Sequence, residues 1–423
     1  MQYYFLLVFL LLVPHLLLAQ TPEQDQKQLD EALDHLKKKA YKPAEIKLRD
    51  YLSRHPNNPY ALNGMGIVRY RQGKLEQAIR WYSKAIRADP DFLGVYENRA
   101  SAKADLGNIA GALTDVNYVL YKDSMMVSAY INRAHIWLTN KDTLLAFQDF
   151  DQSIQLGAST PDAYTGRGMC YWYQRNLKMA MQDLRYAMRR FPDDPHVYAN
   201  YGIIQMEGFK DFEKAYQFFS KAYDLGCYNT TVTYGLGASC QVLRKFDQSI
   251  LHFTAYIKMY PTNASAYCNR GTALAEQKKY ELALKDFEKS LVLDSLAIEV
   301  LINRALFVYM PLGKIELALA DMKRAIKMKE ASGINPAFSY NNLGYFQLKN
   351  GNPKEGLKNV NYSLELNPRN SYAYKNLALI YLELDDQEAA WQAANKAIEL
   401  GFERLYGAEI LDIQAKACHA KNR

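Results

Sequence analysis

The side chains that could carry acid–base or metal chemistry fall into a pattern that points away from catalysis. His35, His55, His135, His196, His252 and His419 are scattered singly, and none has a second ligand at the spacing that puts two on one helical face around a metal. Gly235-Leu236-Gly237 sits in a helical pattern with no strand before it, so it does not read as a phosphate loop. The aspartates instead follow arginines: Arg99 with Asp115, Arg133 with Asp149, Arg167 with Asp183, Arg270 with Asp286, and Arg304 with Asp321. That regular separation predicts ion pairs and leaves no spare carboxylate pair for general acid–base work. Five cysteines, Cys170, Cys227, Cys240, Cys268 and Cys418, are too few and too scattered for a disulfide framework, and are expected as small core or surface thiols. No cofactor, metal or small-molecule substrate is expected.

The elements that position these residues follow from a period of 34. Ala78, Ala112, Ala146 and Ala180 recur at that interval, and so do Tyr96, Tyr130, Tyr164 and Tyr198. Small residues at fixed slots mean one supersecondary unit stacked many times, each burying its apolar face against its neighbours. About eleven units fit the chain, at 25–58, 59–92, 93–126, 127–160, 161–194, 195–229, 230–263, 264–297, 298–336, 337–370 and 371–404. Within a unit, slots four, seven, eight and eleven form one face of a first helix, and slots twenty, twenty-four and twenty-seven a face of a second. Each unit is thus a helical hairpin. In 59–92, Leu62, Met65 and Gly66 face Ala78, Tyr82 and Ala85, with Gly73 at the turn and Pro90 ending the second helix. The period fails after Gly401, and Leu405 to Ala420 is expected to form one more amphipathic helix capping the last hairpin. Extra residues near Gly208-Phe209 and Pro311-Leu312, and about four more at Ser332–Pro336, are expected as loop insertions, the last as a soft joint.

Gly66, Gly73, Ala78, Tyr82, Ala85 and Pro90 together resemble the tetratricopeptide repeat, as do Gly202, Ala215, Phe219 and Ala222, or Leu343, Gly344, Gly351 and Pro368. The resemblance covers residues 20–404. It implies an all-α, right-handed superhelical solenoid of stacked antiparallel helix pairs, with the outward side of the first helices lining a concave groove.

Against that family pattern the arginines stand out. Arg fills slot seven, where the family places Leu, only in the five units that carry Asp in the partner helix. Units with Met65, Tyr201, Leu236, Leu343 or Leu377 have Trp81, Phe218, His252, Asn359 or Ala393 there instead. Such co-occurrence implies contact. We therefore expect Arg–Asp pairs to close those hairpins as structural features.

Slots two, five, nine, twelve and thirteen remain outward on the first helices. Two apolar stretches fall there: Met169, Trp172, Tyr173, Ile203 and Met206, then Leu306, Tyr309, Met310, Tyr345, Leu348, Leu379 and Leu382. They read either as packing or as ligand surface, and the second stretch is favoured because it spans consecutive units. Asn98, Asn132, Asn200, Asn269, Asn303, Asn342 and Asn376 occupy slot six as a broken row. An amide can donate to and accept from one peptide unit, so the row reads as a ladder gripping an extended backbone, or as inter-repeat hydrogen bonds.

Residues Tyr3 to Leu18 are almost wholly apolar and end at Ala19-Gln20, which predicts a secretory signal over 1–19, or a short anchor if it is uncleaved. Thr21-Pro22-Glu23-Gln24 fits a helix start. The formal net charge of +7 is spread without a polybasic block, favouring an acidic partner and giving no support to nucleic acid. The sequence thus suggests an exported, non-enzymatic scaffold, periplasmic or secreted, that holds a partner protein or extended peptide in its groove. The alternative is a structural component of a cell-envelope or secretion complex that uses the convex face and array ends.

Overall fold

The computed structural model describes residues 22–419; the apolar N-terminal run, the expected cleavage site and the Thr21 cap lie outside them. All regular structure among the described residues is helical. By contact the chain divides into two compact bodies, one ending at Asn200 and the other beginning at Tyr201.

The first body stacks five hairpins, of which the middle three are Pro59–Arg71 with Leu75–Ala88, Leu93–Asp105 with Ile109–Lys122, and Val127–Thr139 with Thr143–Gln155. Local chemistry sets their ends. Asn58, Asn108 and Asp142 accept from the backbone N–H of Ala61, Gly111 and Leu145, satisfying donors that a first turn leaves open. The turn between paired helices needs one left-handed residue, supplied by Gly73 and Gly107 and then, at the same slot, by Lys141 and Arg175. The alanines of the 34-residue period are fully buried, where a larger side chain would hold two helices apart. A Cβ on Gly66 would lie 2.3 Å from the Tyr82 ring, so its absence is what lets that ring fill the space between the helices. The recurring tyrosines tie each hairpin to the turn before it: the hydroxyls of Tyr96, Tyr130 and Tyr198 donate to the carbonyls of Pro90, Ser124 and Pro192 at 3.2, 3.2 and 3.0 Å.

The second body repeats this plan, with helix Thr230–Val242 on Phe246–Met259 and Ala264–Glu276 on Tyr280–Leu293, and so on to Ser371–Glu383 on Gln387–Glu399. Three expectations need correction here. The two single-residue insertions are not loops; each is absorbed inside a first helix as a π-helical segment, Ile204–Phe209 and Ala305–Tyr309. Widening the helix keeps the residues on either side in the packing register, which a loop would interrupt. The longer insertion mostly extends the second helix of its hairpin, Ile315–Ala331, before a turn closed by Ile334 N–H donating to Lys329 O at 2.9 Å. The C-terminal segment is two helices, Phe402–Tyr406 and Glu409–His419, because Gly407 takes a left-handed φ of 95° between them. Phe402, Ile410 and Ile413 bury themselves against Leu377, Ala394 and Ala397 of the last hairpin.

Of the cysteines, Cys418 is exposed and the other four are buried as free thiols. Burial pushes Cys170 up to about 12, and Cys240 and Cys268 to about 11, which keeps them protonated and unreactive at neutral pH. Among the described residues no helix is long and apolar enough to cross a membrane.

Candidate binding groove

The slot-seven arginines are engaged within the hairpins and are not free surface. In each of the five hairpins the guanidinium bonds its aspartate twice. Arg133 Nε and Nη2 donate to the two oxygens of Asp149 at 2.8 and 2.7 Å. Arg99–Asp115, Arg167–Asp183, Arg270–Asp286 and Arg304–Asp321 repeat the fork with every distance between 2.7 and 2.8 Å. The aspartates are buried and the arginines half-buried. Sequence reasoning missed the third bond. Nη1 reaches back to the second helix of the preceding hairpin, from Arg99 to Ser83, Arg133 to Asn117, Arg167 to Asp151 and Arg270 to Thr254, at 2.7 to 3.2 Å. Four of the five arginines therefore clamp three helices, Arg304 forks its aspartate, and all five are occupied by the fold.

The asparagine row is largely engaged as well. Asn98 donates to Asn63 at 3.1 Å, Asn132 to the Glu97 carbonyl at 3.0 Å, Asn269 to the Tyr234 hydroxyl at 3.0 Å, and Asn376 to Asn341 at 3.0 Å. Asn303 lies 3.3 Å from Thr272 Oγ1. Every one of these bonds joins a first helix to its predecessor. Asn376 is fully buried and out of reach of a ligand, which corrects its inclusion in a ladder. Asn200 and Asn342 are half-buried.

The apolar stretches are also drawn into packing. Tyr309 and Tyr345 lean on the buried cluster of Leu319, Met322, Leu343 and Phe346, and Leu348 on the cluster of the last hairpin. Arg304 sits over the Tyr309 ring at 5.3 Å, while Lys349 and Lys375 lie over Tyr345 at 5.5 and 5.7 Å. Tyr173 is exposed and stacks at 4.7 Å on half-buried Trp172, and Met206 in the other body is half-buried. None of these forms an open apolar patch.

An open concavity lies along the first helices of the first body. It is a groove of about 660 Å³ spanning the repeats from Asn63 to Asp162. Its floor carries Gly94, Glu97, Asn98 and Ser101 from one helix and Ser128, Ile131, Asn132 and His135 from the next, with Tyr70 and Phe92 at one side. Of the residues named from sequence, only Asn98 and Asn132 line it. The sequence reading did not name the others, although Gly94, Glu97, Ser101, Ser128, Ile131 and His135 occupy the slots marked as outward. Ser101 Oγ lies 3.3 Å from Asn132 Oδ1, and Ser128 donates to the half-buried Glu97 carboxylate at 3.2 Å. Burial raises the Glu97 pKa above the ordinary glutamate range, with the Ser128 bond opposing it only in part. Tyr70 donates to Asp105 at 2.6 Å, and burial together with that carboxylate pushes the phenol up to about 12.

The tetratricopeptide repeat profile matches residues 264–295 and 361–392, and a further TPR repeat profile matches 66–107. These three stretches are thus similar to tetratricopeptide repeats. Human tetratricopeptide repeat protein 13 is 27% identical over 158 residues, 36% of this chain and 18% of that protein. Human mitochondrial import receptor subunit TOM70 is 22% identical over 329 residues, 74% of this chain and 48% of that one. The chain thus spans less than half of either relative. The crystal structure of yeast Tom70 superposes over 95% of this chain and 97% of its own, at 16% identity and a TM-score of 0.47. The clamped arginines and bonded asparagines thus belong to the scaffold, and the groove lies open on the first body.

Proposed function

We propose that the chain is a non-enzymatic scaffold that holds a segment of a partner protein along the groove of its first body. The observation that carries this reading is the groove itself: consecutive first helices present Glu97, Ser101, Ile131 and His135 on a concave face that hairpin packing leaves open. Its volume is ample for several residues of an extended chain. A relative named as an import receptor subunit is in keeping with a binding role. The apolar run Tyr3–Leu18 ahead of Ala19-Gln20 supports export, with a periplasmic location, which N-terminal sequencing of the mature protein would test by finding Gln20 first.

The binding reading is tested by placing a photo-crosslinking residue at Ile131 in the groove, or at Tyr121, a second-helix residue 84% exposed, and irradiating the native cell fraction. Adducts from Ile131 alone support it. Adducts from Tyr121 alone would instead favour a structural part in an envelope assembly built on the other face.

A further inference from the structure

The charge of the groove contradicts the charge of the chain. The whole sequence is basic, with 52 Lys and Arg against 45 Asp and Glu. The groove lining holds Glu97, Asp105 and Asp162 and neither Lys nor Arg. Asp105 is engaged by Tyr70, and the nearby Arg71 stands over the Tyr70 ring at 5.8 Å. Glu97 differs from both other carboxylates: it is half-buried on the floor, its one side-chain hydrogen bond comes from the neutral Ser128, and among the described residues no cation pairs with it. The buried acids of the hairpins, Asp115, Asp149 and Asp183, are paired with arginine. The half-buried aspartates at the turns of this body, Asp89, Asp123, Asp142 and Asp194, accept backbone N–H groups, whereas Glu97 accepts from the Ser128 hydroxyl and faces the groove. The floor beside it offers Ile131 and Phe92 for an apolar side chain, and the amides of Asn98 and Asn132 for peptide groups.

We propose that this groove selects an extended partner segment bearing arginine or lysine, whose cationic head pairs with the Glu97 carboxylate. The inference rests on the scaffold reading above and narrows it to a basic partner. It also reverses the acidic partner that net charge alone suggests, because a ligand meets the local field of the concavity before the average over the surface.

The test uses the full chain and three pools of end-capped peptides about twelve residues long, each with a fixed central Arg-Arg, Gln-Gln or Glu-Glu pair and matched random flanks. We expect the best arginine peptides to bind about tenfold or more tighter than the best glutamine peptides, with glutamate peptides weakest. Since the protein is net positive, non-specific attraction would give the opposite order. Glu97→Gln keeps the size of the side chain and should remove the arginine preference while leaving glutamine peptides unchanged; Glu97→Lys should turn it toward glutamate. Glu76→Gln, on an exposed second-helix position, should change nothing. Equal binding of all three pools, or an arginine preference that survives Glu97→Gln, overturns the basic selectivity and leaves peptide binding standing. Capture of none of the pools overturns both.

Discussion

Two kinds of hairpin alternate along this array, and they solve the same packing problem by different physics. Hairpins with Met65, Tyr201, Leu236, Leu343 or Leu377 in the first helix close by contact: the Tyr201 and Phe218 rings lie 4.1 Å apart, and Met65 is buried in a cluster against which Trp81 packs. Hairpins with Arg99, Arg133, Arg167, Arg270 or Arg304 close by a bidentate fork. Contact area is tolerant of small shifts. The fork is directional, and in four of the five a third N–H fixes the preceding hairpin as well, so such an arginine hairpin sets the register of three helices where an apolar one sets the spacing of two.

The largest test removes one half of a fork. Arg133→Leu leaves Asp149 buried without its cation and should cost about 3–5 kcal/mol in chemical denaturation. Adding Asp149→Phe converts the hairpin to the contact type and should recover much of that loss. A double variant as unstable as the sum of the two singles would show that the two kinds are not interchangeable.

Acid should separate the kinds next. The second hairpin is of the contact type, yet Arg69 in its first helix forks Glu45 of the first hairpin at 2.9 and 3.1 Å. The guanidinium holds Glu45 down to about 2 from 4.5. A carboxylate whose folded pKa is depressed stabilises the fold above its unfolded pKa and loses that contribution as pH falls toward the folded one. Stability on the order of 3 kcal/mol should therefore disappear between about pH 5 and pH 2. Comparing wild type with Glu45→Gln isolates this share from the other carboxylates: the variant should be less stable at pH 7 and approach wild type near pH 2. Parallel curves would mean that the fork does not discriminate the charged form.

A transplant sharpens the comparison further. Where a fork exists, the preceding second helix offers Ser83, Asn117, Asp151 or Thr254 to the spare N–H, and Glu288 stands at the same slot before Arg304. The equivalent slot before Leu236 is Ser220, and before Leu343 it is Lys323. Leu236→Arg with His252→Asp should thus be tolerated better than Leu343→Arg with Asn359→Asp, by about 1–2 kcal/mol, because the second arginine meets a like charge. Equal costs would remove the third bond from the account.

Much of this was legible from the chain, for reasons that differ by residue. The 34-residue spacing of Ala78 to Ala180 exposes the hairpins because a buried alanine tolerates nothing larger. The paired occurrence of Arg133 and Asp149 exposes the fork because losing one partner strands the other. The Nη1 bond was harder to see, since its acceptor changes from Ser to Asn to Asp to Thr, and only the absence of Lys and Arg there marks it. The groove was missed for another reason. Slots two, five and nine pointed to Gly94, Glu97 and Ser101, but hydrophobicity was followed to Tyr309 and Tyr345, whose apolar character serves packing against Met322 and Phe346. The π-helical segments have no residue signature beyond one extra position, which a loop would accommodate equally well in sequence.

The first hairpin gives the smallest effect and the most discriminating one. Its slots seven and twenty-three hold Glu31 and Lys47, the fork's charges in reverse, with Lys47 Nζ 2.6 Å from Glu31 Oε2. The reversal cannot reproduce the clamp. An ammonium is a point donor, it lacks a planar second N–H aligned with the other carboxylate oxygen, and this pair is 34% and 44% exposed against 24% and 8% for Arg133 and Asp149. Water screens the attraction, and water also solvates whichever partner is left alone. Lys47→Met should leave the denaturation midpoint unchanged within error, where Arg133→Leu lowers it strongly. A comparable loss from Lys47→Met would mean that charge pairing at these slots, and not the buried planar fork, holds the hairpins together.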